Sequence, residues 1–411
     1  MADTPDTFTI ARLGHRGDGI ADGPLFAPLT LPGEKITGTP EGNRLTDIRI
    51  VTPSSDRVSP PCRHFKACGG CQLQHASDDF VARWKREVVE AALTANGLSA
   101  PFRETFTSAP LSRRRAVFSA RRTKKGALAG FHARASDAIV EIPDCRLLEP
   151  ALHATLPIVE ELARLGASRR GEMSVTVTTS KSGADIAVVG GHEPDGPLLI
   201  ELAATAQKHD LARLTWNGEV IAARKPAAQS FGKVQVVPPP GAFLQATKSG
   251  EAALRDGVME AVKGARKIVD LFAGCGTFSL PLAETGEVHA VEGSREMMKA
   301  LDHGWRHSEG LRRVTCETRD LFRRPLLAEE LARYDACVID PPRAGAEAQI
   351  AELARSGIAR IAHVSCNPVT FARDAKTLAA AGYGIDWVKV VDQFRWSSHV
   401  ELIASFSLKT P

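Results

Sequence analysis

The sequence predicts an α/β protein: an open, parallel-sheet domain at the C-terminus, preceded by a central α+β unit and a small N-terminal β-barrel. Three observations predict it. The β-branched run Lys267-Ile-Val-Asp270 ends in an acid, and a turn carrying Gly274 and Gly276 follows, then an apolar segment. That is the strand, loop and helix of a nucleotide-binding unit. A second short strand, Val288-His-Ala-Val-Glu292, closes on a carboxylate twenty-two residues after Asp270, and βαβ rhythm continues to the end. Upstream, Pro238-Pro-Pro-Gly241 reads as a linker, and before it come alternating strands such as Met173–Thr178 and Ala184–Val189.

At 411 residues the chain has room for two or three domains, and the boundaries read as 1–56, 57–238 and 239–411. Its 43% apolar content excludes a mainly disordered protein. No apolar run approaches a bilayer span and no basic-then-apolar leader opens the chain, so a cytoplasmic location is expected. The net charge of +4 is modest, so any affinity for nucleic acid must come from local clustering. Eight cysteines in such a protein point to metal or catalysis rather than to disulfides.

Taken in order, residues 7–52 combine short alternating segments with Gly14, Gly17, Gly19 and Gly23, the pattern of a small OB-like barrel. Cys62, Cys68 and Cys71 follow at C-x5-C-x2-C, and Cys145 in Ile142-Pro-Asp-Cys145 can supply a fourth thiolate. Four cysteines suit a [4Fe–4S] cluster or a structural zinc, and spacing does not separate the two. Residues 78–97 read as an amphipathic helix capped by Ser77 or Asp78, with Phe80, Trp84, Val88 and Leu93 on its apolar face, bridging to the C-terminal domain. From Thr105 to Ser136 no acid occurs, while Arg113, Arg114, Arg115, Arg121, Arg122, Lys124, Lys125 and Arg134 do. Strands Ala116–Ala120 and Leu128–Phe131 flank the Lys124-Lys-Gly126 turn, and a basic hairpin of this kind neutralises phosphates.

In the C-terminal domain Gly274 and Gly276 let the backbone approach a ligand closely. Glu292 is placed to accept from both hydroxyls of a ribose. Ser279 stands where a dinucleotide fingerprint needs its third glycine, so S-adenosylmethionine fits the spacing better than NAD. The run ending Val-Ile-Asp340-Pro-Pro-Arg343 delivers an acid to the sheet's carboxyl edge, and the run ending Val-Ser-Cys366-Asn-Pro368 delivers a cysteine. Cys275, Cys316 and Cys337 are explained as small core residues.

With these motifs in view, the chain resembles the bacterial RNA uracil-5-methyltransferases, specifically the iron–sulfur branch that acts mainly on 23S ribosomal RNA. The likeness rests on C-x5-C-G-G-C-Q-L-Q-H, Ile142-Pro-Asp-Cys145, Phe243-Leu-Gln245, Asp270-Leu-Phe-x-Gly-x-Gly, Ser365-Cys-Asn-Pro368 and His399-Val-Glu401. The resemblance implies a Rossmann-like class I methyltransferase domain, a TRAM-type barrel, and a [4Fe–4S] cluster on Cys62, Cys68, Cys71 and Cys145. It further implies S-adenosylmethionine held by Gln245, Phe272, Gly274, Thr277, Glu292, Asp320 and Asp340, and an RNA partner bound by a monomer. Thr277 and Thr247 stand where the family often has Asn, which predicts altered contacts with the donor.

The chemistry needs a nucleophile, because uracil C5 is too weak to take a methyl group unaided. A thiolate adding to C6 makes C5 carbanion-like, and Cys366 alone among the unassigned cysteines lies just beyond a strand's carboxyl end. The resemblance makes Glu401 the base that removes the C5 proton, with His399 as local rival, while Asp340 and Gln245 can bond the uracil edge. An amino-group methyltransferase would leave Cys366 without a task, and Arg343 stands where that class stacks an aromatic. A non-catalytic iron–sulfur RNA-binding or redox-sensing protein would not be expected to keep Cys366, Glu401, Asp340, Gln245 and Glu292 together. Methylation of uridine 54 in transfer RNA is the alternative within the family.

Overall fold

The computed structural model describes residues 6–409. Thr7–Leu13, Gly19–Ala21, Leu25–Ala27, Arg44–Thr52 and Lys35–Glu41 close in that order into the N-terminal barrel. Its interior holds Ile10, Ala21, Ala27, Ile36 and Leu45. Gly19 cannot carry a side chain there, since a Cβ would lie 2.1 Å from Thr30 Oγ1.

The central unit is a seven-stranded sheet running Glu219–Ala223, Arg213–Trp216, Gly183–Val189, Met173–Ser180, Arg115–Arg122, Ala127–His132 and Ile139–Glu141. Every second side chain (Phe118, Val175, Val177, Ile186, Val188) faces the helices Leu156–Gly166 and Gly196–Lys208, as strand alternation requires. The hairpin expected around Lys124-Lys-Gly126 is present, with Arg121 opposite Leu128 and Arg122 opposite Ala127.

The C-terminal sheet has eight strands in the order Val314–Thr318, Glu287–Glu292, Lys267–Leu271, Ala336–Ile339, Arg360–Ser365, Leu402–Leu408, Tyr383–Asp392 and Phe106–Thr107. The first five are parallel, and Leu402–Leu408 runs antiparallel to both its neighbours. Order reverses between Lys267–Leu271 and Ala336–Ile339, the switch point at which open α/β sheets bind ligands beyond their carboxyl ends. The segment behind the glycine turn makes only one helical turn, Ser279–Leu282.

Two connections cross the expected boundaries. Phe106–Thr107 comes from the central part of the chain yet pairs with the edge of the C-terminal sheet. The amphipathic helix spans Asp78–Thr94, with Ser77 Oγ accepting from Phe80 N at 3.2 Å. Its first half (Phe80, Val81, Trp84) packs with Leu13, Leu31 and Leu73 near the barrel. Its second half (Val89, Leu93) joins the core of Val269, Leu271 and Ile339. Phe80, Trp84 and Leu93 are buried as expected, while Val89 is fully buried and Val88 only partly.

Candidate active site

The carboxyl edge of the C-terminal sheet gathers a line of acids. Glu292, closing its strand, accepts from Gly274 N at 3.2 Å and from Ser294 N at 2.9 Å, so two loops are tied to one carboxylate. Phe272, between strand and glycine turn, adopts a left-handed φ of 61° and packs on Phe322 with ring centroids 5.4 Å apart. Asp270 is fully buried and accepts from Ser279 Oγ at 2.5 Å. That contact gives Ser279 a task in place of the missing glycine. Burial pushes the Asp270 carboxyl up to about 7, with the charge of Glu292 adding to it. Asp340, just past its strand, is pushed upward in the same way by burial and by Asp270 and Glu292. Thr277 lies half-buried on the glycine turn. Asp320 is exposed, caps Phe322 N at 3.0 Å and sits beside Arg323, so its visible task is to shape the loop that carries Phe322.

Beyond Asp340 the line continues to Glu401 and Cys366. Glu401 is 3% exposed, and burial and the neighbouring Asp340 both drive its carboxyl above the ordinary range. Cys366 is pushed up to about 11 by burial and by Glu401 and Asp340, with Arg343 opposing. Asn367, next to it, caps the helix Pro368–Ala380 by accepting from Val369 N at 3.1 Å and donates to Arg343 O at 2.9 Å. The Cys366 and Asp340 loops are thereby locked together. Arg343 Nη2 donates to His399 Nδ1 at 3.0 Å. Partial desolvation and that guanidinium hold His399 down to about 4.

Gln245 reaches the same place from the segment before the helix Lys248–Ala261 and is 3% exposed. Thr247 caps that helix, Oγ1 accepting from Gly250 N at 2.9 Å and meeting Ser108 Oγ at 2.8 Å. That gives Thr247 a structural task at the start of the helix. Sequence reasoning missed Gln393, which joins Gln245 to Glu401, and the signal available was its place at a strand end eight residues before Glu401.

The basic segment divides in two. Arg114 is 2% exposed: its backbone N donates to Ala246 O at 3.0 Å, its Nε to Gln245 O at 3.2 Å, and its Nη2 to Glu251. Arg115 donates to Gly241 O at 3.2 Å, and Arg113 lies over the Phe394 ring at 5.8 Å. These side chains brace the Gln245 segment and the His399 loop, and Arg114, buried and paired with Glu251, departs from the expectation that it meets phosphate. Arg121 pairs with Glu172 at 3.1 Å, Arg122 is half-buried, and Lys124 and Lys125 stand exposed at the hairpin tip.

Cys62, Cys68, Cys71 and Cys145 line one small cavity, walled also by Phe65, Phe131, Ile142 and Leu147. Burial pushes the Cys71 thiol up to about 12, and burial and the other cysteines raise Cys68. Among the described residues no group of three or more His, Cys, Asp or Glu converges closely enough to hold a single metal ion.

A glycine turn and a strand-closing carboxylate at the switch point are the arrangement with which open α/β sheets bind nucleoside ligands. Residues 240–406 match the family described as tRNA (uracil-5-)-methyltransferase. An RNA methyltransferase of Rhizobium meliloti strain 1021 is 45% identical over 97% of this chain and 98% of its own length. The 23S rRNA (uracil(1939)-C(5))-methyltransferase of Chromohalobacter salexigens is 31% identical, covering 99% of this chain and 90% of its own. The solved structure of the tRNA (uracil-54, C5)-methyltransferase of Pyrococcus abyssi, in complex with S-adenosyl-L-homocysteine, shares the fold at a TM-score of 0.76. It is 22% identical, over 97% of this chain and 99% of that one. The chain belongs to the RNA (uracil-5-)-methyltransferase family, and by that membership is an S-adenosylmethionine-dependent RNA methyltransferase.

Proposed function

We propose that this enzyme methylates C5 of one uridine in 23S ribosomal RNA through a covalent Cys366 adduct. The observation that carries the mechanism is the facing of Cys366, Glu401 and Asp340 at one sheet edge, where Glu401 and Asp340 raise the Cys366 thiol and Asp340 raises the Glu401 carboxyl. Gln245, Phe272, Gly274, Thr277 and Glu292 would hold S-adenosylmethionine, which supplies an electrophilic methyl on a sulfonium. Asp340 serves both pockets, and Asp320 acts on the donor side through the Phe322 loop.

Cys366 gives up its thiol proton to solvent, its sulfur bonds C6 of the ring, and the C5–C6 π electrons move to C5 and the O4 enolate. C5 then bonds the methyl carbon while the carbon–sulfur bond of the donor breaks. Glu401 takes the C5 proton, the electrons re-form C5=C6, and the Cys366–C6 bond breaks. A buried carboxyl with a raised pKa suits that step, since it holds a proton firmly once received. His399, donated to by Arg343 at Nδ1, is less suited. A target base in a stem must be unstacked to reach Cys366, which favours a loop.

A ribosomal substrate is supported by the relative from Chromohalobacter salexigens, matched over nearly the whole chain. The cavity shared by Cys62, Cys68, Cys71 and Cys145 supports a [4Fe–4S] cluster, in which each thiolate binds its own iron. A single zinc draws its thiolates within about 4 Å of one another, whereas a cubane with iron at each corner keeps them further apart. Cys62, Cys68, Cys71 and Cys145 would each hold one iron, and the group would tie the Cys62–Cys71 loop to Cys145 and so stabilise the central unit.

Mapping 5-methyluridine in 23S rRNA and tRNA from cells with and without the gene tests the substrate. Loss in 23S rRNA is expected, and loss confined to tRNA position 54 would transfer the assignment. Cys366→Ala should give neither methylation nor adduct, while Glu401→Gln should accumulate a methylated, covalently attached RNA. Normal turnover by Glu401→Gln, or adduct build-up in His399→Ala instead, would overturn the assignment of the base.

A further inference from the structure

Gln393 lies where three distant segments meet, and its side chain is 1% exposed. Ala246 N donates to Gln393 Oε1 at 2.7 Å. A backbone amide can only donate, so the Gln393 atom facing it must be the oxygen and the other the nitrogen. That nitrogen carries two protons. One goes to Oε1 of Gln245 and the other to Oε2 of Glu401, the latter at 3.2 Å. The polarity is then handed on. Gln245 accepts with its oxygen, so its NH2 is the group that remains for a ligand. Room for this arrangement is made by Gly250, where a Cβ would lie 2.6 Å from Gln393 Cβ.

We propose that Gln393 is a positioning and specificity residue: it fixes Gln245 as a hydrogen-bond donor to a ring carbonyl and holds Glu401 by one oxygen, leaving the other free for the C5 proton. This rests on the catalytic reading above. Uracil presents an oxygen at C4 where cytosine presents an amine, so a fixed NH2 accepts uracil and repels cytosine. The charged groups facing Glu401 are Asp340, Cys366 and Arg343, and the Gln393 N–H joins Arg343 in favouring the ionised form.

The test compares wild type, Gln393→Leu and the isosteric Gln393→Glu on transcripts of the mapped RNA segment carrying U or C at the target. Thermal unfolding serves as the folding control. In Gln393→Leu, kcat should fall at least about tenfold, as for loss of one preorganised donor. The acidic limb of its pH profile should move to higher pH, because Glu401 loses an N–H that favours its charge. In Gln393→Glu, the new carboxylate accepts from Gln245 and turns that amide round, so binding should shift from the U transcript toward the C transcript. Folded variants whose U-over-C preference and acidic limb match wild type would overturn the proposal, leaving Gln393 a packing residue. Failure of the wild type to form 5-methyluridine or a Cys366 adduct would instead sink the catalytic reading itself.

Discussion

Lys85 and Asp392 form an ion pair at 2.6 Å in which both side chains are sealed from solvent. Lys85 belongs to the helix that bridges the barrel to the catalytic core, and Asp392 ends the strand that delivers Gln393. Lys85 Nζ also donates to Phe394 O at 3.2 Å, so the helix grips the segment on both sides of Gln393. Burial works against ionisation of both partners, lowering the Lys85 ammonium pKa and raising the Asp392 carboxyl. The pair persists because each charge answers the other.

Removing one partner alone should therefore be costly. Lys85→Met is expected to destabilise the protein by about 3–5 kcal/mol, the range for a buried charge left unpaired. Lys85→Met with Asp392→Leu should recover much of that loss. Denaturant unfolding of the two variants is the measurement, and equal destabilisation in both would show that the pair's charges are not what matters.

The cysteine cavity makes a compositional prediction. Protein purified without oxygen should be brown and hold about four irons per chain. Oxidative loss of the group should lower the melting temperature, because metal–ligand bonds in a small unit contribute folding energy directly. A colourless protein with one zinc per chain would reject the cluster.

The two halves of the basic segment should respond differently. Lys124→Ala and Lys125→Ala should reduce the salt dependence of RNA binding by about one unit for each phosphate no longer neutralised, with little effect on stability. Arg114→Ala should unfold at lower denaturant instead, since it strands Glu251 and frees the Gln245 carbonyl. An unchanged salt slope in the Lys124/Lys125 double variant would return the hairpin to an ordinary solvated surface.

What was legible in the sequence was local. Glycines after a strand, an acid closing the next strand and a cysteine just past another all announce themselves within a few residues, and each stands at the expected edge. Pairings between distant parts of the chain do not. Arg114 read as a phosphate ligand because no acid lies near it in sequence, yet its partner Glu251 is 137 residues downstream. Gln393 and Gln245 are 148 residues apart, and nothing in either neighbourhood names the other. The barrel and the bridging helix were readable from alternation and from a capping serine. The addition of Phe106–Thr107 to the catalytic sheet was not, because two residues carry no periodicity.

The pH dependence of adduct resolution separates the two candidate bases. A base must be unprotonated to take the C5 proton, so the rate is high above its pKa and is lost as pH falls through it. For Glu401 the folded value lies above the ordinary carboxylate range, through burial and Asp340. The acidic limb should then fall near or above neutrality and vanish in Glu401→Gln, the adduct remaining at every pH. For His399 the limb would lie at about 4, since partial desolvation and the Arg343 donor oppose its protonation. Arg343→Ala moves both limbs the same way. Without the guanidinium the His399 value should rise, and that of Glu401 should rise as well, because Arg343 also favours the Glu401 carboxylate. Only the Glu401 limb, however, starts within the range where the native enzyme can be assayed. Asp340→Asn removes a negative neighbour from Glu401 and should carry the limb to lower pH. Single-turnover decay of the denaturation-resistant RNA–protein adduct between about pH 5 and 9 reads this directly. A limb unmoved by Asp340→Asn would show that Glu401 is not the group being titrated.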